Sequence, residues 1–384
     1  RGDVPEPSPE FEEEDHGIPN GGHQPDEDIY APEIEPIHEE DYGVPNGGDQ
    51  EVEDVYAPVE EEDHGIPHGG PQPGEEIEDV PPKPTGGKKV VIQTGRFSRT
   101  FWNTQHEFQD PTKKGTEREV MFVANFREEF SEVPRMEVGL YGLDFAFSDA
   151  GVRLEVDAVT ESGFRVRAVA PVNALIYFVA VDFVAYIEDE GYESDSFGYS
   201  DFDQEQRNTW TSGNNERFAL KTLPTPGDFT SPGAISFISS IQFNSRGNVR
   251  FQTTVQGVEQ SGTEIKVGTW ADTGVVDFRV SVLWFDKTDV TNAFYVSTDK
   301  TGPMNSGKDE RHDAKIQENI PARHAQFFAA LSYIDFINGH NYRLSQKHTH
   351  GKDWLKTDYK TWADTLVWRV RDSVMYTPIY AHEN

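Results

Sequence analysis

The pentapeptide Thr269-Trp270-Ala271-Asp272-Thr273 returns unchanged as Thr361-Trp362-Ala363-Asp364-Thr365, 92 residues further on (361 minus 269). That spacing is the length of one small domain. Each copy follows a strand-like segment with an arginine and precedes a run alternating apolar and polar residues, so each reads as a turn feeding the last strand of a β unit. Around the first copy, Val249, Phe251 and Val255 alternate with Arg250, Gln252 and Gln256, and Phe278, Val280, Val282 and Trp284 follow. Around the second stand Tyr342, Arg343 and Leu344, then Trp368, Val370 and Val374. The outline also occurs once upstream without the pentapeptide. There Val152, Leu154, Val156 and Ala158 alternate with Arg153, Glu155 and Asp157, and Ser162-Gly163 turns the chain into Phe164. Residues 175–186 (LIYFVAVDFVAY) are apolar on both faces, which implies a strand between its own core and a neighbouring unit.

The pattern predicts an all-β fold with three units. Their boundaries are expected at 89–188, 210–290 and 291–384, with an acidic linker at 189–209 and a lengthened polar loop around 348–353.

Charge separates these units from what precedes them. The net charge is −34. About 24 of it lies in residues 1–88, where about 27 Asp and Glu face about 3 Lys and Arg. The phrases EEEDHGIPNGG (12–22), EEDYGVPNGG (39–48) and EEEDHGIPHGG (60–70) repeat there with one or two apolar side chains each, too few for a core. Proline, glycine and like charge predict a disordered acidic tail, a solvating spacer. Its carboxylates lack the spacing of a calcium loop, and the RGD at 1–3 is short enough to occur by chance.

So acidic a chain repels phosphate backbones, which argues against nucleic acid. There is no Cys, hence no disulfide and no Cys-ligated zinc. No apolar run reaches membrane-spanning length. His348 and His350 are two ligands at most, and two do not make a metal site. No metal or cofactor is expected.

IQTGRF (92–97), VGLYGLD (138–144), VRLEV (152–156), TESGF (160–164) and LIYFVAVDFVAYI (175–187) stand in this order over residues 90–187. Together they resemble the H-type lectin domain of the snail agglutinin and discoidin C-terminal type. FISSIQFN (237–244) and AALSYIDF (329–336) stand where VGLYGLDF stands, so the second and third units resemble diverged copies. The resemblance implies tandem six-stranded antiparallel β-sandwiches that bind galactose or N-acetylgalactosamine. It also implies glycan or glycoprotein partners, a pseudo-trimer within the chain or a homo-oligomer, and a secreted or cell-surface location. Carried over residue by residue, the family's arginine falls on Arg153, Arg250 and Arg343. Its tryptophan falls on Trp270 and Trp362, with Pro171 and Val172 in the first unit, and its tyrosine on Tyr177, Val276 and Trp368. The family's acidic residue has no secure match, Asp309 being a candidate, and no unit carries a full set.

A sugar site needs an aromatic face for the ring and charged or amide groups for its hydroxyls. Trp with Arg supplies that minimum. Two bland readings stand beside it: the tryptophans as sandwich or inter-unit packing, and the arginines as partners of carboxylates such as Glu155 across strands. Asp272 and Asp364 read as turn residues. The expected function is a multivalent lectin without enzymatic activity, because no recurring pair of carboxylates faces a cleft. The alternative is a structural or adhesive module whose sugar sites have decayed.

Overall fold

In the first segment, where β4 and β5 alternate apolar with charged residues and β6 is apolar on both faces, the chain forms β1 (Ile92–Thr100), β2 (Arg118–Asn125), β3 (Arg135–Phe145), β4 (Gly151–Val159), β5 (Gly163–Ala170) and β6 (Ile176–Tyr186). Six more strands follow: β7 (Tyr192–Gly198), β8 (Arg217–Leu223), β9 (Pro232–Asn244), β10 (Val249–Glu259), β11 (Gly262–Thr269) and β12 (Gly274–Asp286). The third set is β13 (Asn292–Ser297), β14 (His312–Ile316), β15 (Ala325–Phe336), β16 (Tyr342–His350), β17 (Leu355–Lys360) and β18 (Val367–Pro378). This computed structural model describes residues 89–378, apart from 102–107, 109–114, 147–149, 189, 212, 214, 228, 245–247, 289–290, 298–311, 317–324, 338–340, 351–354 and 362–364. The acidic repeats, Asp309, Trp362 and Asp364 lie outside the described residues.

The strands form three six-stranded sheets: β1-β6-β3-β16-β17-β14, β13-β18-β15-β10-β11-β8 and β2-β5-β4-β9-β12-β7. All the pairings are antiparallel, and the fold is sandwich-like. Every sheet takes three strands from one segment and three from another. The third strand of a segment pairs with the fourth strand of a different one: β9 with β4, β15 with β10, and β3 with β16. Followed round, these junctions close into a ring of three segments.

Within the first segment the two half-sheets enclose aromatic side chains. Phe97 packs on Phe122 (ring centroids 4.9 Å apart) and Phe164 on Phe183 (4.7 Å). In the second, Phe278 lies 5.1 Å from Phe251 and 5.2 Å from Trp210. Burying such rings stabilises each sandwich by roughly 25 cal/mol per Å² removed from water.

A separate cluster joins the segments, with Ile92, Val184 and Tyr186 from the first, Ile235, Phe237 and Leu283 from the second, and Phe328, Ala330 and Met375 from the third. Strand β6 thus serves both clusters, with Val179 and Val181 in its own core and Val184 and Tyr186 in the shared one. The two-faced apolarity of residues 175–186 has this cause. Where the segments meet, Gly139, Phe237 and Ala330 occupy matching strand positions, and a Cβ on Gly139 would collide with Ala330 and lie 2.8 Å from the Phe237 ring. One large and two small side chains share that space.

Two local expectations need correction. Residues 189–209 do not form a plain linker: they contain β7, which pairs with β12 from Tyr192↔Phe285 to Gly198↔Arg279, and they run into an eight-residue helix α1 (Gln204–Thr211). Its acidic residues line the outer side while Tyr192, Phe197 and Trp210 are buried. Nor is His348 on a loop. It belongs to β16, and its side chain is 7 % exposed because other polar groups receive it inside the third sandwich.

Where the first and second segments have Val181 and Val280, the third has Asp372, which is fully buried. Tyr359 Oη donates to Asp372 Oδ2 (2.9 Å) and Gln346 Nε2 to its Oδ1 (3.0 Å). His348 Nε2 lies 3.7 Å from Oδ2, and its Nδ1 is 2.6 Å from Thr357 Oγ1.

Candidate functional site

Each junction brings the arginine of one segment to the strand end of another. At the junction of the second and third segments, Arg250 on β10 stands in register with Asp335 on β15. Its Nε donates to Asp335 Oδ1 (2.8 Å) and its Nη1 to Asp272 Oδ1 (2.7 Å). Asp272 comes from the pentapeptide turn, so a carboxylate from each segment grips one guanidinium. Asn248 secures Asp272 further, donating from Nδ2 to Oδ1 (2.6 Å) and from its backbone N–H to Oδ2 (3.3 Å). Burial works against ionisation of Asp272, but the Asn248 bonds and the Arg250 charge hold its carboxyl below the usual range. Asp335 is pushed up, because its burial outweighs the attraction of Arg250.

The turn is rigid. Thr269 Oγ1 donates to the carbonyl of Arg250 (2.6 Å), while Arg217 Nη2 donates to the carbonyls of Ala271 and Thr273 (2.7 Å each). Ala271 is held at φ 52°, a left-handed conformation costing an alanine about 1–2 kcal/mol. This clamp presents Trp270, whose ring lies 4.9 Å from Tyr333 of the neighbouring segment and 6.1 Å from Phe218. Trp270 is half-buried packing between segments and also an aromatic face beside the Arg250 cluster.

A β-bulge recurs at all three junctions. Asp144 pairs with Phe178 and Phe145 with Ile176, leaving Tyr177 as the extra residue. Asp335 pairs with Arg369 and Phe336 with Val367, leaving Trp368. Gln242 pairs with Asp277 and Phe243 with Val275, leaving Val276. The three positions matched in sequence are therefore matched in space. Pairing across the junctions places Trp368, 40 % exposed, beside Asp335 and thus opposite Arg250. Tyr177 stands beside Asp144, the carboxylate that Arg343 approaches with Nε (3.4 Å).

The first junction is different. β4 pairs with β9 two residues out of step with the other junctions, so that Arg153 faces Ser240 and not Gln242. Arg153 donates from Nη1 and Nη2 to both oxygens of Glu117 (3.0 and 3.2 Å) and from Nε to Glu155 (2.7 Å). The hydrogen bond from Arg153 lowers the Glu117 pKa. A cavity of about 310 Å³ lies between Arg153, Ser240, Tyr199 and Arg279, where Ser240 replaces the tyrosine that fills the second junction as Tyr333.

Sequence reasoning missed Glu117, which follows no motif and meets Arg153 36 residues away. It also passed over Asp144 and Asp335, although both lie in the quoted LYGLDF and LSYIDF motifs. Among the described residues no group of three or more His, Asp or Glu could hold a metal ion. No helix there is long and apolar enough to cross a membrane.

Asp144, Arg153 and the Tyr177 bulge of the first segment lie in a stretch that is similar to a known family. Residues 123–186 match the H-type lectin domain. The match runs from the end of β2 through β6 and points to carbohydrate binding in general; its family is one of binding domains and not of enzymes. Comparisons with curated proteins and with solved structures returned no match.

Proposed function

We propose that this chain is a multivalent carbohydrate-binding protein for galactose- or N-acetylgalactosamine-type glycans. In this reading it is built as three tandem H-type lectin-like units, 89–188, 210–290 and 291–384, the second taking in residues 189–209 as well, which close into a pseudo-trimer. The observation carrying the proposal is Arg250 held between Asp272 and Asp335 from two segments, with Trp270 beside it. Carboxylates accept hydrogen bonds from sugar hydroxyls, a guanidinium donates them, and an indole covers the apolar face of the ring. Strand pairing at the junction of β16 with β3 supports the same use for Arg343 with Tyr177, and the repeated pentapeptide extends it to Trp362.

The test is a glycan array followed by titration of the full chain beside Trp270→Ala and Asp272→Asn. Loss of the indole face lowers affinity at the second junction by about tenfold, and the array identifies the terminal sugar. A blank array with folded, monodisperse protein refutes the proposal. The reading as a structural or adhesive module then takes its place, and the first junction favours it: Arg153 is occupied by Glu117 and Glu155, and its bulge carries Val276 in place of an aromatic ring.

A further inference from the structure

The outer face of the second sheet carries a stripe that the sugar site does not use up. Strand register aligns Arg371, Tyr333, Gln252, Gly268 and Phe218 across β18, β15, β10, β11 and β8. A Cβ on Gly268 would sit 3.0 Å from Phe218 Cδ1, so the Phe218 ring lies over the gap that glycine leaves. Trp270 bridges the row, 6.1 Å from Phe218 and 4.9 Å from Tyr333, with the rings inclined by 38° and 35°.

Cations flank these rings. Lys266 Nζ is 4.0 Å from the Phe218 centroid, and the Arg369 guanidinium is 5.5 Å from that of Tyr333. Arg371 lies 5.7 Å from Tyr333 and 4.6 Å from Tyr295. No described carboxylate pairs with Lys266, Arg369 or Arg371. On the β2-β5-β4 face, by contrast, Arg153, Arg165 and Arg167 are each bound by Asp or Glu. Arg371 is fixed by donating to the Thr253 carbonyl (3.0 Å) and to Ser332 Oγ (3.2 Å).

We propose that the second junction takes an acidic oligosaccharide of several residues, with one sugar at Trp270 and its neighbours' carboxylate or sulfate groups at Lys266 on one side and Arg369 and Arg371 on the other. The inference rests on the carbohydrate reading of the same junction and names its ligand class. Aromatic faces spaced along a strip fit successive sugar rings, and unpaired cations between them fit negative substituents. Single-stranded nucleic acid also uses rings and cations. Here Asp272 and Asp335 sit at the centre of the strip, where they accept from hydroxyls and repel phosphate, so a hydroxyl-rich chain is favoured.

The test is titration of the full-length chain with a galactose-terminated trisaccharide and with its sulfated and uronate-bearing counterparts, at low and at raised salt. A single-stranded oligonucleotide serves as competitor. The acidic ligands are expected to bind at least about tenfold tighter than the neutral one at low salt, with the advantage shrinking as salt is added. Comparing sulfate with carboxylate shows which group the cations select. Lys266→Gln combined with Arg369→Gln, both at the surface, is expected to remove the preference and leave neutral binding as it was. Measurable neutral binding with no acidic preference overturns this inference and leaves the carbohydrate reading standing. Absence of binding to every sugar overturns both. An oligonucleotide that binds tighter than the acidic sugars overturns the inference in favour of nucleic acid.

Discussion

Replacing Asp372 or His348 should tilt the pH dependence of stability in opposite directions. In the folded chain, burial pushes the Asp372 carboxyl up to about 7 and drives the His348 imidazole well below 6.5, with the Arg96 charge acting on His348 in the same sense. The surrounding polar groups are Tyr359 and Gln346 on Asp372, Thr357 on His348, and Tyr141, which packs against His348 and under Arg96. Unfolded, the two groups titrate near their usual values of about 3.9 and 6.5. Between roughly pH 4.5 and 6 the unfolded pair carries one proton, on His348, and the folded pair also carries one, on Asp372. The pair then adds no slope.

Asp372→Asn leaves only His348, which binds a proton when unfolded and none when folded. Relative to the parent, stability rises with pH by about 1.4 kcal/mol per unit. His348→Gln leaves only Asp372, protonated when folded and ionised when unfolded. Relative stability falls with pH by about the same slope, and the two variants diverge by roughly 4 kcal/mol over 1.5 units. Urea unfolding of both variants and the parent at several pH values between these limits measures the slopes. Differences that stay flat in both variants would refute the placement of the proton on Asp372.

Glu137 is half-buried and accepts from Ser194 Oγ (2.8 Å) and Ser281 Oγ (2.7 Å), but loss of water around its carboxyl, the larger effect, raises its pKa. A raised carboxyl loses stability as pH rises, so the advantage of Glu137→Gln over the parent should grow from acid towards neutral pH in denaturant titrations. Gly139→Ala adds a methyl where no room exists and should cost about 1–3 kcal/mol; combining it with Ala330→Gly should restore much of that, as read from unfolding midpoints. Ala271→Gly relieves the left-handed alanine and should stabilise by up to about 1 kcal/mol, whereas Ala271→Val should destabilise, both checked by thermal unfolding.

The strands were legible because most show an apolar/polar alternation, and β6, apolar on both faces, serves two clusters. Val152 and Leu154 alternate with charges and are buried in β4, although Val156, next in the same alternation, is exposed beside a bulge. The repeated pentapeptide marked the turn carrying Trp270, and the family's tyrosine, carried over to Tyr177, Val276 and Trp368, fell on the bulge position in each segment. How segments exchange strands was not legible. Each junction rests on three or four residue pairs, such as Arg250 with Asp335, and nothing local in either strand announces the other. His348 misled for a related reason: it is polar alone, and only its proximity to Asp372 lets the two be buried together. Helix α1 went unseen because its eight residues bury a single side chain, Trp210.

The junctions differ in when they can form. Val152 meets Ile241 across 89 residues (241 minus 152) and Val249 meets Phe336 across 87 (336 minus 249), but Leu143 meets Leu344 across 201 (344 minus 143). On a ribosome adding about 5–20 residues per second, β3 is exposed for about 10–40 s before β16 exists. Once β6 has paired along one edge, the backbone donors and acceptors of the other edge stand open through that interval, a template for mispairing with another nascent chain. The last step of folding is therefore the joining of the earliest strands to the latest, and a chain truncated before residue 342 leaves the ribosome with its first sheet unfinished.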